Sequence, residues 1–233
     1  MLGVVRELWR YPVKSMGGEA CESLRVEQRG AQGDRRFAVR DAKGKLGSGK
    51  TTRRFRRMDG LLEFRASGSE HGADIAFPDG RTLRSDDAAV HEALSAVLAE
   101  PVTLVQEAQV SHLDAAPIHI VTTAALEWIG NSLPDVRIDA RRFRPNLVIE
   151  TDGTGVVELG WIGRRLRVGD EVVLEVAGRT ERCAMVALPQ GDLEMDPRVL
   201  HALALCTDVC FGVYAHVVAT GSMRLHDAVS SVD

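Results

Sequence analysis

A mainly β fold with a few helices, rich in barrels, is what this sequence of 233 residues predicts. Three observations carry that expectation. Short apolar stretches, many alternating in polarity, are separated by Gly, Asp and Pro, as half-buried antiparallel strands are. Strands outnumber helices. The helices do not alternate regularly with the strands, which argues against a doubly wound parallel sheet and for an α+β, barrel-rich chain. The length suits one large domain or two small ones, with ample core.

Strands are predicted over residues 4–9, 23–26, 36–40, 61–65, 102–106, 147–150, 171–176 and 213–220. Turn signals such as Pro78-Asp79-Gly80 and Val168-Gly169-Asp170 separate strands. Three helices are expected. Ser85 can cap the first, with Asp86 and Asp87 in its first turn and Val90, Leu94, Val97 and Leu98 on one face. Thr122 or Thr123 can cap the second, which turns Leu126, Ile129 and Leu133 inward before Pro134 stops it. Asp196 and Pro197 open the third, which carries Val199, Leu200 and Leu203. A boundary is expected between Glu100 and Asp114, giving domains over 1–105 and 106–233.

A net charge of −4 argues against nucleic-acid binding driven by the field of the whole chain. Arginines nevertheless cluster at residues 53–57, 141–144 and 164–167. Local basic patches on an acidic protein suit a small anionic ligand. Four cysteines (Cys21, Cys183, Cys206 and Cys210) lack the spacing of a disulfide scaffold and suggest a reducing compartment. The N-terminal stretch has no apolar core of signal-peptide length, and no run of about twenty apolar residues predicts a membrane span. A cytoplasmic protein is expected.

Gly44-Lys45-Leu46-Gly47-Ser48-Gly49-Lys50-Thr51 matches the phosphate-binding pattern G-x-x-x-x-G-K-[ST] letter for letter. That motif needs a buried parallel strand before it and a clean helix after it. Here the strand alternates with charges, Asp41-Ala42-Lys43-Gly44 reads as a hairpin turn, and the residues after Thr51 are crowded with arginine. A hairpin turn is expected there instead. Cys206 and Cys210 stand four apart near His201 and His216, but no second pair supports a zinc site. No Gly-x-Ser-x-Gly elbow or HExxH pattern is present.

Two segments concentrate the chemistry: Arg142-Phe143-Arg144-Pro145-Asn146 before an apolar strand, and Thr180-Glu181-Arg182-Cys183 after one. Arginine forks bind phosphate in bidentate fashion, and a cysteine sulfur suits soft or high-valent metals. Together they suit a metal carried on a phosphorylated organic cofactor. Tyr11-Pro12-Val13-Lys14-Ser15, Gly33-Asp34-Arg35, Asp114-Ala115-Ala116-Pro117-Ile118-His119 and Phe211-Gly212-Val213-Tyr214 complete an ordered set. With them the chain resembles MOSC-domain proteins, named for the C-terminal domain of molybdenum cofactor sulfurases. The N-terminal part looks like the β-barrel domain that precedes MOSC in amidoxime-reducing proteins.

The resemblance implies a smaller β-barrel followed by a MOSC β-barrel, and a molybdenum cofactor. It implies that Cys183 ligates molybdenum. Arg182 beside it would favour the thiolate. Arg144 would take phosphate and Asn146 the pterin edge. Lys14, Ser15 and Arg35 would contact the cofactor from the N-terminal domain, with Lys50 beside them. Thr122 and Thr123 would donate at a helix start. Asp114 matches an acid near the metal, either a proton relay or a turn residue. The implied activity is reduction of N-hydroxylated or N-oxidised small molecules. The alternative is a persulfide or cofactor carrier working through Cys183. No ferredoxin-like cysteine set or pyridoxal-phosphate domain is seen, so a separate electron-donor protein is expected. Two departures stand out. Leu225-His226-Asp227 replaces a Gly-Asp turn, and Leu188-Pro189-Gln190-Gly191-Asp192 replaces Asp-Pro-x-Thr-Gly in a loop that could shape substrate access.

Overall fold

The structure, a computed structural model, describes residues 1–69 and 72–232. The chain opens with β1 (Gly3–Arg10), β2 (Glu19–Cys21), β3 (Ser23–Glu27) and β4 (Gly30–Ala31). Next come β5 (Phe37–Asp41), β6 (Leu46–Ser48), β7 (Phe55–Arg57), β8 (Arg65–Ser69), β9 (Gly72–Ala76) and β10 (Thr82–Arg84). Helix α1 (Ala89–Leu98) and β11 (Val102–Gln106) follow. Beyond a linking segment lie β12 (Ile118–Thr122), α2 (Thr123–Ser132), β13 (Leu147–Glu150), β14 (Arg165–Val168) and β15 (Val172–Glu181). The chain continues through α3 (Arg198–Thr207), β16 (Cys210–Ala219), β17 (Gly221–Arg224) and β18 (Ala228–Val232).

Among the described residues, seven strands close into a barrel in the order β13-β12-β16-β15-β14-β18-β1, with β1 pairing back onto β13. Only β12 and β13 run parallel in it. Closure leaves no free edge in the ring. Alternate residues point inward, including Leu8, Ile120, Ile149, Leu174 and Val213, all buried. Each such side chain contributes about 1.5–3 kcal/mol by leaving water. A second core joins the sheets β11-β5-β6-β7 and β10-β9-β8 with α1 around Val39, Phe64, Ile75, Leu94 and Leu104. The mainly β, double-barrel expectation holds. The halves also interlock, because β3 pairs with β17 in a separate small sheet.

Some elements differ from the sequence expectation. Residues 61–65 are not one strand: Leu61–Glu63 form a 3-10 turn before β8. Gly60 precedes the turn at φ 89°, and Leu61 and Leu62 are both buried, which strict alternation forbids. Helix α1 starts after Ala88, with no side-chain cap on that residue. Asp87 Oδ1 accepts from Ala89 N (2.8 Å), whereas Ser85 Oγ accepts from Ala73 N (2.9 Å) at the adjoining sheet. Thr122 does cap α2, accepting from Ala125 N (3.1 Å). β15 runs on past Val176 to Glu181, following β16 through register shifts. The segment with the nucleotide-loop pattern forms a turn and then β6, antiparallel to β5, and no helix follows it. His226 makes its turn at φ 69°, where glycine would be unstrained.

Candidate functional site

A narrow cleft of about 60 Å³ lies where the barrel meets the N-terminal unit. Lys14, Ser15, Arg35, Ser48 and Lys50 line it from one side. Asp114 enters from the linking segment, and Arg144, Asn146, Arg182, Cys183 and Tyr214 come from the barrel side. Five cationic side chains thus face it against the carboxylates of Asp114 and Glu181. Arg54 fixes the linking segment by donating to the carbonyls of Ser111, Leu113 and Asp114 (3.2, 3.3 and 3.0 Å).

The N-terminal cations are held rigidly. The loop after β1 is pinned by Lys14 N donating to Phe37 O (2.8 Å). The Lys14 ammonium lies 4.2 Å from the Phe55 ring centre and 3.1 Å from Asp114 Oδ2. Burial pulls its pKa down and Asp114 holds it up, leaving it at about 8. Ser15 turns the chain at φ 66° and donates to Gly47 O (3.3 Å). Lys50, half-exposed, reaches Asp114 Oδ1 at 3.6 Å. Burial raises the Asp114 carboxyl, but Lys14 and Lys50 outweigh it and hold it at about 2. Such a carboxylate stays ionised at neutral pH. It therefore suits clamping two lysines better than relaying a proton.

Arg35 pairs with the buried Asp34 and donates to Arg144 O (3.2 Å). Arg144 sits at φ 54°, its guanidinium 4.2 Å from the centre of the Tyr11 ring. Its Nη1 donates to Met16 O (2.6 Å), whereas its buried Nη2 has no partner. Burial and the neighbouring Arg35 lower its pKa to about 10. Arg182 lies just past β15 and donates through Nη2 to Phe143 O (2.7 Å), leaving its buried Nε unpartnered. Cys183 follows, half-buried, at the start of the 3-10 turn Ala184–Ala187. Two buried guanidiniums with spare N–H groups beside a thiol form a receptor for an anion that carries a soft centre.

Sequence profiles match over nearly the whole chain: the MOSC N-terminal beta barrel domain over residues 2–115 and the MOSC domain over residues 95–230. The chain belongs to the MOSC domain family. MOSC domains are associated with the molybdenum cofactor in general. No curated protein matches the sequence. Among solved structures, YuaD of Bacillus subtilis is similar at TM-score 0.53 and 14% identity, over 98% of this chain and 94% of that one. A structure described as a hypothetical protein is similar at TM-score 0.51 and 12% identity, over 100% of this chain and 68% of that one. At these identities the likeness concerns the fold.

In this MOSC protein the cleft gathers Lys14, Ser15, Arg35, Lys50, Asp114, Arg144, Asn146, Arg182 and Cys183. Thr122 and Thr123 do not line it, contrary to expectation. Thr122 Oγ1 is spent on the cap and on donating to Glu158 Oε2 (2.7 Å), and Thr123 Oγ1 accepts from Thr151 N (3.2 Å). Asn146 lines the cleft with an amide already engaged. Its Oδ1 accepts from His119 N (3.2 Å) and Arg35 Nη1 (3.5 Å), and its Nδ2 donates to Trp9 O (3.3 Å). It fastens β1, β12 and β13 together while lining the cleft. Arg142 is likewise structural, donating to the carbonyls of Arg137, Val186 and Glu194.

Sequence reasoning did not name His119 and Tyr214 as site residues. They are register partners across β12 and β16, with ring centres 5.5 Å apart, and both line the cleft. Burial, reinforced by Arg182, keeps His119 neutral, and burial raises the Tyr214 phenol. A signal was present in Phe211-Gly212-Val213-Tyr214. Gly212 stands at φ 77°, where a Cβ would lie 2.5 Å from His119 Nε2.

Proposed function

We propose that this MOSC protein binds the molybdenum cofactor in the cleft and reduces N-hydroxylated or N-oxidised small molecules there. The observation that carries the reading is the pair of buried, unpartnered donors, Arg144 Nη2 and Arg182 Nε, beside Cys183. An unmade buried hydrogen bond costs about 1–3 kcal/mol, and an anionic ligand removes that cost. Among the described residues, no three His, Cys, Asp or Glu side chains gather to hold a metal ion. A metal at Cys183 therefore needs an organic ligand to supply its other donors, as the molybdenum cofactor does.

Cys183 would hold the metal through sulfur, with Arg182 favouring the thiolate. Lys14, Arg144 and Arg182 would take the anionic groups, and Asp114 would orient Lys14 and Lys50. Tyr214, kept protonated by burial, holds a proton at Oη on the cleft wall. When bound, the cofactor would supply two-electron cleavage of the substrate N–O bond, with two protons taken up overall and the oxygen leaving as water. The two electrons would come from a separate donor protein.

The test is protein purified from a host that makes the cofactor. Elemental mass spectrometry should find near-stoichiometric molybdenum, and oxidised pterin should be seen by its fluorescence. Absence of both after reconstitution overturns the reading. Cys183→Ala should abolish turnover of an N-hydroxylated substrate while leaving circular dichroism unchanged, and retained turnover also overturns it.

The half-buried Cys183 thiol opens on the cleft, which supports a second reading as a persulfide carrier. Incubation with a cysteine desulfurase and cysteine should then add one sulfur atom to Cys183. An unchanged mass dismisses that reading.

A further inference from the structure

A second cavity of about 250 Å³ adjoins the cleft and shares Ser15, Ser48 and Met185 with it. Its chemistry is the opposite. The walls are Met58, Leu61, Leu62, Met185, Leu188 and Met195. Polar groups are few: Ser15 Oγ donates to Gly47 O (3.3 Å), Arg57 pairs with Asp59 (2.8 Å), and Ser48 and Glu63 complete the lining. None of the unpartnered buried side-chain atoms among the described residues belongs to this cavity, whereas Arg144 and Arg182 in the cleft each have one.

Sugar hydroxyls, carboxylates or phosphates would find few partners against the methionine and leucine walls and would lose water there. An uncharged ring loses nothing. An apolar cavity of roughly 150 Å³ already holds benzene, so 250 Å³ has room for a fused bicycle. Three of the chain's six methionines line it. Their unbranched, polarisable side chains adapt to differently shaped apolar guests. Gly49 lets the chain pack closely on Met185, since a Cβ there would meet Met185 Cβ at 3.0 Å. Met185 itself stands two residues from Cys183 and faces both spaces.

We propose that this methionine-walled cavity seats the uncharged, ring-bearing part of the substrate, whose reactive group reaches past Met185 into the cleft. The substrate role rests on the reductase reading above, but binding to the cavity is measurable without it. Protein carrying 13C-methyl methionine is titrated with indole and followed by NMR. The Met58, Met185 and Met195 methyl signals should shift saturably. Met1, exposed at the chain start, and Met223, buried in the barrel, should not. Leu188→Trp fills the cavity and should weaken indole at least tenfold. Met195→Glu, at a residue 61% exposed and so harmless to the fold, should weaken it at least threefold. Unmoved signals, equal shifts at Met1, or unchanged affinity in both variants overturn the proposal. Indole binding by protein free of molybdenum keeps the cavity and removes only its link to reduction. Molybdenum-loaded protein whose methionines ignore indole does the reverse.

Discussion

Arg144 shows how much one side chain carries in this cleft. It occupies the left-handed region at φ 54°, stacks on Tyr11 and spends one nitrogen on Met16 O. Lysine lacks the planar fork, so Arg144→Lys loses the fixed geometry that presents separate nitrogens to Met16 O and to an anion. We expect cofactor affinity to fall at least tenfold, about 1.4 kcal/mol, seen as reduced molybdenum content when the cofactor is limiting. Lys14 sets a pH limit. With its pKa at about 8, its ammonium is present below that value and is lost as pH rises through it. Affinity for sulfate, whose charge is constant over that range, should fall above pH 8. In Asp114→Asn the supporting carboxylate is gone, so the fall should move to lower pH, as titration calorimetry would show. At His226, exposed at φ 69°, His226→Gly should relieve the left-handed strain and stabilise by about 1 kcal/mol in urea unfolding. Cys183, Arg144 and Lys14 were legible as candidates because each stands in a short motif. His119 and Tyr214 were not, because only the register of β12 on β16 brings them together. Nor does a sequence show that the Asn146 amide is spent on three strands.

Element boundaries follow the same division. Strands with plain alternation, such as β3 and β11, lie where the sequence puts them. β15 is longer than its apolar run because β16 carries it to Glu181, and that extension delivers Arg182 and Cys183 to the cleft. Ser85 fails as a cap because a neighbouring strand takes its hydroxyl. The start of α2 rests on a buried device that no motif announces. Glu158, fully buried in the 3-10 turn Val157–Trp161, accepts from the Thr122 cap, and burial lifts its pKa from 4.5 to about 7. Between those values the unfolded chain releases this proton and the folded chain keeps it. Stability therefore falls as pH rises through that window, by about 3 kcal/mol in all from this group. Glu158→Gln should remove that slope from denaturant midpoints measured between pH 4.5 and 7.

At the scale of the whole molecule, β1 is the decisive strand. It hydrogen-bonds to both β13 and β18, and its Val5 and Leu8 are buried in the barrel. A fragment spanning 106–233 lacks this stave. We expect it to show weak near-ultraviolet circular dichroism and to bind a hydrophobic dye, with a native spectrum overturning that expectation. Barrel architecture was legible from the strand-rich pattern. That the first strand completes the second barrel was not, because pairing across such a separation leaves no local trace. The same pairing sets an order of events in the living cell. A ribosome releases Gly3 long before Val229, its partner, and at roughly 5–20 residues per second the wait is on the order of 10–50 s. The edge of β1 that faces β18 is unpaired throughout that interval, a natural client for a chaperone. Lys14 and Cys183 can grip one ligand only after both have been made, so filling the cleft is work for the finished polypeptide and not for the nascent one.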